Sequence, residues 1–508
     1  MTDDATLRDQ AVIALKKTTV GYRNKYWSTP PMSSQWAEGL ALLAQIGAAP
    51  PPPPPPPGIA PPLPPTKYTI PAGWTLVTTT AELLAAIAAG TQTIALEDGI
   101  YDNAGPVACG ACNLYAANLL GAVVRFGISF TSGAAQGLFF QVSDLNGVKS
   151  MNGCCVEHVD PAPMTAFDCR FHSDFSLNMG IYDPFIEGSK YARLVFRNFQ
   201  GYSARISSTN GSPDYSLPYS AWNPASTGVR VLDTFTDIDV SGICYAGWLA
   251  DAVPDAAAGS TGTVVLTADV GAGSENRLHV VDVDIATGVA TAREAMTYTG
   301  GDPLGSTLNV TRGAWDTTPA ALAAGQLVLI PESSNGTAEC GIWIGCPVKN
   351  PVDRIKVRNC GVCCEWTGDC CWNTSFQNLD YNMIDGLFPN SPNYAVESEH
   401  FSFHLTHQKF HIVVGANAAF NSEWCDDVQG NEAGQFNLYQ DGTCEGGAYG
   451  IYLDGGTGVA YVTNVTFKGQ TTGAVASYPK GYQYWDGDPE ISGCTYQMAA
   501  GAQEYVAL

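Results

Sequence analysis

The sequence predicts an all-β fold: a right-handed parallel β-helix with a short N-terminal helical segment and an inserted small β domain. Three observations point there. Charged residues make up only 14% of the chain and hydrophobic residues 45%, whereas soluble domains usually carry roughly 25% charge. Short runs of alternating apolar and polar residues end in polar turns at 194–198, 235–240, 355–359, 376–380 and 462–467, as half-buried strands do. Clear two-residue hairpin signals are missing between these runs, which favours stacked coils over an antiparallel sandwich.

Taken in order, residues 1–48 read as an N-terminal helical anchor segment. Leu7, Ala11, Ala14 and Leu15 recur at helical spacing, as do Trp36, Leu40 and Leu43, with Thr29, Pro30 and Pro31 as a break between them. Residues 49–66 form a polyproline linker, unbroken from Pro50 to Pro57. Polyproline II is semi-rigid, so such a tract spaces two bodies apart. The β-helix follows in two parts, 67–249 and 333–508, the second with a C-terminal cap, and residues 250–332 form the inserted small β domain.

Residues 74–102 are the most informative stretch. Thr79 followed by Glu82 is a capping box, Leu83, Leu84 and Ile87 give one apolar face, and Gly90 stops the helix. The strand pattern TIALEDGIY then runs over 93–101. A parallel β-helix needs a cover on its first coil because open strand edges invite aggregation. This segment resembles the opening of the pectate-lyase-like superfamily of right-handed parallel β-helices, which includes many bacteriophage tailspikes. The resemblance rests on the helix, the glycine, the isoleucine–leucine strand, and then Asp98, Gly99 and Tyr101. It implies a fold and no activity. Asn359 and Asn378, spaced near one coil, are expected to stack in successive turns.

Between Ala250 and Glu332 cysteines are absent and the texture changes. EAMTY at 294–298, LNVTRG at 308–313, the pair Thr317 and Thr318, and the segment Ala323 to Gly325 follow one another in this insertion. They resemble a small β module recurrent in bacteriophage tail proteins. That family often has His where Leu322 stands here, so the match is incomplete. No catalytic role follows from it.

The formal net charge of −24 at pH 7 repels a phosphate backbone and argues against nucleic-acid binding. No apolar run is long enough to span a membrane. The acidic start MTDDATLRDQ is unlike a secretory signal. Sixteen cysteines fit a particle assembled in the host cytoplasm and oxidised once lysis exposes it, since disulfides do not persist in reducing cytosol. Cysteines at equivalent places on successive coils either bridge or stack as small apolar groups. The disulfide candidates are Cys109, Cys112, Cys154, Cys155, Cys169, Cys244, Cys340, Cys346, Cys360, Cys363, Cys364, Cys370, Cys371, Cys425, Cys444 and Cys494. The neighbours Cys154 and Cys155 point to opposite faces of a strand. Pairs such as Cys109 with Cys112 also have zinc or redox spacing, a weaker reading.

Polysaccharide-cutting spikes use two carboxylates on the β-helix face or between subunits. The candidates here are Glu397, Glu399, Asp426 and Asp427, with Phe401 and Trp424 as aromatic neighbours. His400, His404, His407 and His411 read as strand residues, with His407 and His411 sharing a face. No cofactor and no metal is implied. The reading that follows is a bacteriophage virion spike or fibre, a homotrimer by its likeness to tailspikes. It joins other virion proteins through residues 1–48 and contacts host cell-surface polysaccharide. A polysaccharide depolymerase of the same fold, hydrolase or lyase, is the enzyme alternative, and a structural neck or capsid decoration protein is the third.

Overall fold

The computed structural model describes residues 70, 72–144, 149–160, 162–207, 231–267, 277–298, 306–315, 317–330, 341–360, 374–383, 394–398, 405–415, 417–423, 436–454, 459–477 and 488–508. The N-terminal segment and the polyproline tract lie outside these. A 25-stranded sheet and a 5-stranded sheet, both parallel, wind the chain into an all-β helix of the expected parallel kind.

Helix α1 (Thr80–Ala88) covers the first coil, burying Leu83 and Ala86. Thr79 Oγ1 accepts from the Glu82 backbone N–H at 3.2 Å. The Glu82 carboxylate reaches back to Thr78, accepting from its N–H at 2.7 Å and its hydroxyl at 2.9 Å. The return half of the capping box therefore lands one residue earlier than the motif suggests.

Each coil contributes to three faces. Face A holds strands such as Thr93–Leu96, Met164–Phe167, Thr406–Gln408 and Phe436–Gln440. Face B holds Gly99–Tyr101, Arg170–His172, His411–Val414 and Thr443–Gly446. Face C holds Cys154–His158, Met179–Asp183 and Tyr202–Ser207, and later Ala418–Glu423 and Tyr449–Asp454. Long strands such as Lys190–Phe199, Thr234–Ile243, Val352–Cys360 and Ser375–Asn382 run through the corner from A to B.

One residue makes that corner on coil after coil. Asp168, Arg193, Asp237, Arg354, Asn378, Lys409, Asp441 and Asn464 all adopt φ between 53° and 57°. A left-handed residue costs an L side chain roughly 1–2 kcal/mol, but it lets both neighbours face inward, as Ala192 and Leu194 do around Arg193. The outward side chains then pair along the corner. Arg193 Nε meets Asp168 Oδ1 at 2.5 Å, Arg354 Nη2 meets Asp237 Oδ2 at 2.8 Å, and Asn464 Nδ2 donates to Asp441 Oδ1 at 3.2 Å. Asn378 occupies this corner opposite Arg354, not opposite Asn359, so the expected asparagine stack does not form. Asn359 lies further along the same strand, on face B.

Inside, side chains stack in register. The rings of Phe140, Phe171 and Phe196 lie 5.0 and 4.9 Å apart and almost parallel. His407 sits fully buried between Phe376 and Tyr439, 5.0 and 5.3 Å from their centroids. His411 instead faces solvent. The turn at Lys409 changes the chain's direction between them, so the expectation of a shared face fails.

The disulfide expectation is corrected for the cysteines the structure describes. Cys109, Cys112, Cys154, Cys155, Cys169, Cys444 and Cys494 are free thiols. The reason is register. Cys154 lies opposite Met179, and Cys444 opposite Ile412 and Phe467, so these positions do not repeat a cysteine on the next coil. They serve as small apolar groups: Cys109, Cys112, Cys155, Cys169, Cys346 and Cys444 belong to the main core. Cys154 faces outward into a separate buried cluster. Cys109 and Cys112 both turn inward because Gly110 (φ 68°) interrupts the alternation with a bulge. Cys244 is buried in a further cluster. Cys340, Cys363, Cys364, Cys370, Cys371 and Cys425 lie outside the described residues, as does the side chain of Cys360.

Between coils stands a six-stranded antiparallel sheet built from Tyr245–Trp248, Leu327–Ile330, Arg277–Asp284, Val289–Tyr298, Thr307–Thr311 and Thr261–Val265. One side buries Leu278, Val280, Met296, Val310, Leu322 and Val328. Its other side packs Val281 and Leu329 with Phe175 of the β-helix.

Candidate functional site

Strand alternation on face B sends Ile355, Val357, Leu379, Tyr381, Ile412, Cys444 and Phe467 into the core. Their neighbours must therefore point to solvent. Parallel register stacks those neighbours into two columns. Asp239, Lys356, Asp380 and His411 form one, and Arg358, Asn382, Val413, Glu445 and Lys468 the other.

Basic and acidic side chains alternate along the row. Arg358 Nη2 meets Asp380 Oδ2 at 2.5 Å. The His411 ring lies between two carboxylates, with Nδ1 3.7 Å from Asp380 Oδ1 and Nε2 3.8 Å from Glu445 Oε2. Lys468 Nζ reaches Glu445 Oε1 at 2.7 Å. These five side chains are 32–53% exposed, so a ligand lying on the face meets all of them. The hydrogen bond from Lys468, more than the proximity of His411, holds the Glu445 carboxyl below its ordinary range. Glu445 is therefore ionised at neutral pH and offers hydrogen-bond acceptors.

The antiparallel sheet bounds the row at one end. Its turn after Asp284 docks on face B, where His172 Nδ1 lies 3.0 Å from the Ile285 carbonyl and Asn198 Nδ2 donates to the Gly288 carbonyl at 3.3 Å. Gly288 has φ 73°, and a Cβ there would meet Arg197 Cγ at 2.7 Å, so the turn needs its glycine. Burial lowers the His172 pKa to about 4, leaving the ring neutral. Arg197 Nη1 then pairs with Asp239 Oδ1 at 2.9 Å, where the row begins.

Sequence reasoning placed the carboxylates elsewhere. Glu399, Asp426 and Asp427 lie outside the described residues, together with His400 and His404. Glu397 lies on the face C strand Val396–Ser398, in register with Asn421. Asp380, Glu445, Arg358 and Lys468 were not singled out. The signal that would have found them is a polar residue between two apolar ones on each coil, and it becomes visible only when coil lengths are known.

No protein-family model and no curated protein matches the chain. Among solved structures, the catalytic unit of a thermostable GH87 α-1,3-glucanase from Streptomyces thermodiastaticus strain HF3-3 is similar, with a TM-score of 0.36 and 11% identity over 86% of this chain and 71% of that one. A likeness of that size says nothing about activity or substrate.

Proposed function

We propose that this chain is a bacteriophage virion spike whose β-helix binds host-surface polysaccharide along face B. One observation carries the binding reading: the solvent-facing row Arg358, Asp380, His411, Glu445 and Lys468, advancing one coil at a time. Coils stack at about 4.8 Å, close to the length of one sugar in an extended polysaccharide. Donors and acceptors repeated at that interval can bond successive hydroxyl-rich rings, and alternating basic and acidic groups suit a polar chain better than a polyanion. The virion setting is supported by the tail-type motifs of the insertion and by the proline tract. In this reading residues 1–48 join the particle and the spike is a homotrimer.

The test is binding of the full-length protein to purified host capsule or lipopolysaccharide. His411→Ala combined with Glu445→Gln should weaken it about tenfold or more, the loss of roughly two charge-assisted hydrogen bonds. Unchanged affinity in that double variant would remove face B from the reading.

A second reading, depolymerisation, is favoured by one feature. Asp380 and Glu445, a pair of carboxylates, flank His411 from opposite sides, two coils apart. New reducing ends that vanish in Glu445→Gln would establish it, and binding without them would leave a pure receptor-contact protein.

A further inference from the structure

On face C the strands Cys154–His158, Met179–Asp183, Tyr202–Ser207 and Ile342–Gly345 lie side by side. Register places Glu157, Tyr182, Arg205 and Trp343 in one outward column, with Cys154, Met179 and Tyr202 in the next. The second column is buried and forms an apolar floor. The Arg205 guanidinium lies 3.9 Å from the Trp343 ring centroid, 5.5 Å from Tyr202 and 5.9 Å from Tyr182. The Tyr202 and Trp343 rings are themselves stacked at 5.8 Å.

What this arginine lacks is a carboxylate. The chain has 48 acidic and 24 basic residues, and four arginines of nearby coils are taken up: Arg193 by Asp168, Arg197 by Asp239, Arg354 by Asp237 and Arg358 by Asp380. Glu157, the acid in the same column, is engaged by the Asn152 amide at 2.8 and 3.0 Å. Arg205 has no ion-pair partner among the described residues, and its Nε is buried with no hydrogen-bond partner, as is Trp343 Nε1. In a strongly acidic chain, a guanidinium walled by aromatic rings and without an ion-pair partner among the described residues suits an outside anion.

We propose that Arg205, Tyr182, Tyr202 and Trp343 form a binding site for a carboxylate-bearing sugar. Guanidinium and carboxylate match as planar, two-bond partners, while the C–H face of the ring packs on the aromatic side chains. The proposal rests on the polysaccharide reading above but uses a different face and different residues.

The test is titration calorimetry of the full chain with a hexuronate tetrasaccharide, its carboxyl-reduced neutral form, and acetate and inorganic phosphate as free anions. The acidic tetrasaccharide should bind about tenfold or more tighter than the neutral one, weaken with added salt, and outcompete both free anions. Arg205→Gln should bring its affinity down to that of the neutral form, with Arg205→Lys in between. Trp343→Phe, which keeps an aromatic ring and so guards against a folding defect, should weaken both sugars. Equal binding of the two tetrasaccharides, an unaffected Arg205→Gln, or free anions that bind as tightly would overturn the site and leave face B standing. Binding of neither sugar by the unmodified chain would overturn the site and the polysaccharide reading together.

Discussion

Arg312 closes on Glu294 through two bonds, Nε to Oε1 at 2.6 Å and Nη2 to Oε2 at 2.7 Å, with both side chains buried. The same guanidinium donates to the carbonyls of Pro254 and Ala320, at 2.9 and 2.7 Å, and Glu294 also accepts from the Gly313 N–H at 3.1 Å. One ion pair thus ties together four segments of the inserted region, joining the acid of EAMTY to the arginine of LNVTRG. Removing one partner strands the other charge in the interior, at a cost of about 3–5 kcal/mol. Glu294→Ala should therefore unfold the inserted sheet at lower denaturant while the coils keep their own transition. Hydrogen exchange resolved by segment would show it, and equal protection of the sheet in both proteins would contradict it.

Acid should weaken the fold through three buried imidazoles. Burial lowers His407 to about 3, and His172 and His279 to about 4, from an ordinary 6.5. Below about pH 6.5 the unfolded chain binds protons that the native one refuses, so stability is full above that pH and falls as pH drops towards 4. His407 alone accounts for about 3 kcal/mol by pH 4. His407→Phe, flanked by Phe376 and Tyr439, should flatten the pH dependence of the urea midpoint. An unaltered slope would count against this assignment.

The left-handed corner offers a backbone test at Lys409 (φ 53°), whose side chain is exposed. A β-branched residue tolerates that conformation poorly, so Lys409→Val should cost about 1–2 kcal/mol. Lys409→Gly should be neutral or slightly stabilising, because glycine adopts positive φ freely. Paired melting curves decide it, and a valine variant as stable as the glycine one would refute the corner geometry.

Thiol chemistry gives a fourth check. Desolvation raises the pKa of Cys155, Cys169 and Cys444, in each case with no exposed sulfur, so these side chains are inert thiols. Iodoacetamide should label them only after unfolding, with no reductant needed. Native labelling, or a mass that demands reduction first, would show a different arrangement at those positions.

The sequence made the coil legible where local patterns suffice. The helix Thr80–Ala88 with its cap at Thr79, the strand at 93–96 and the apolar alternation at 235–240 follow from spacing alone. Register did not follow, because loops of unequal length separate the coils and a fixed repeat is absent. That is why Asn378 falls opposite Arg354 and why Cys154 and Cys444 lie opposite hydrophobic residues instead of cysteines. The face B row was hidden for the same reason. Asp380, His411 and Glu445 are far apart in the chain, and only stacking brings their side chains within 4 Å.

The excursion into the antiparallel sheet leaves after Ile243, and the coil resumes at Ile342, whose strand lies directly against Tyr202–Ser207. Among the described residues, no strand of the coil pairs with a strand of the excursion. The coil behaves as a socket and the sheet as a cassette, so recombination can exchange the cassette without re-registering a single neighbouring strand. The seat at His172 and Asn198 is what a replacement would have to fit.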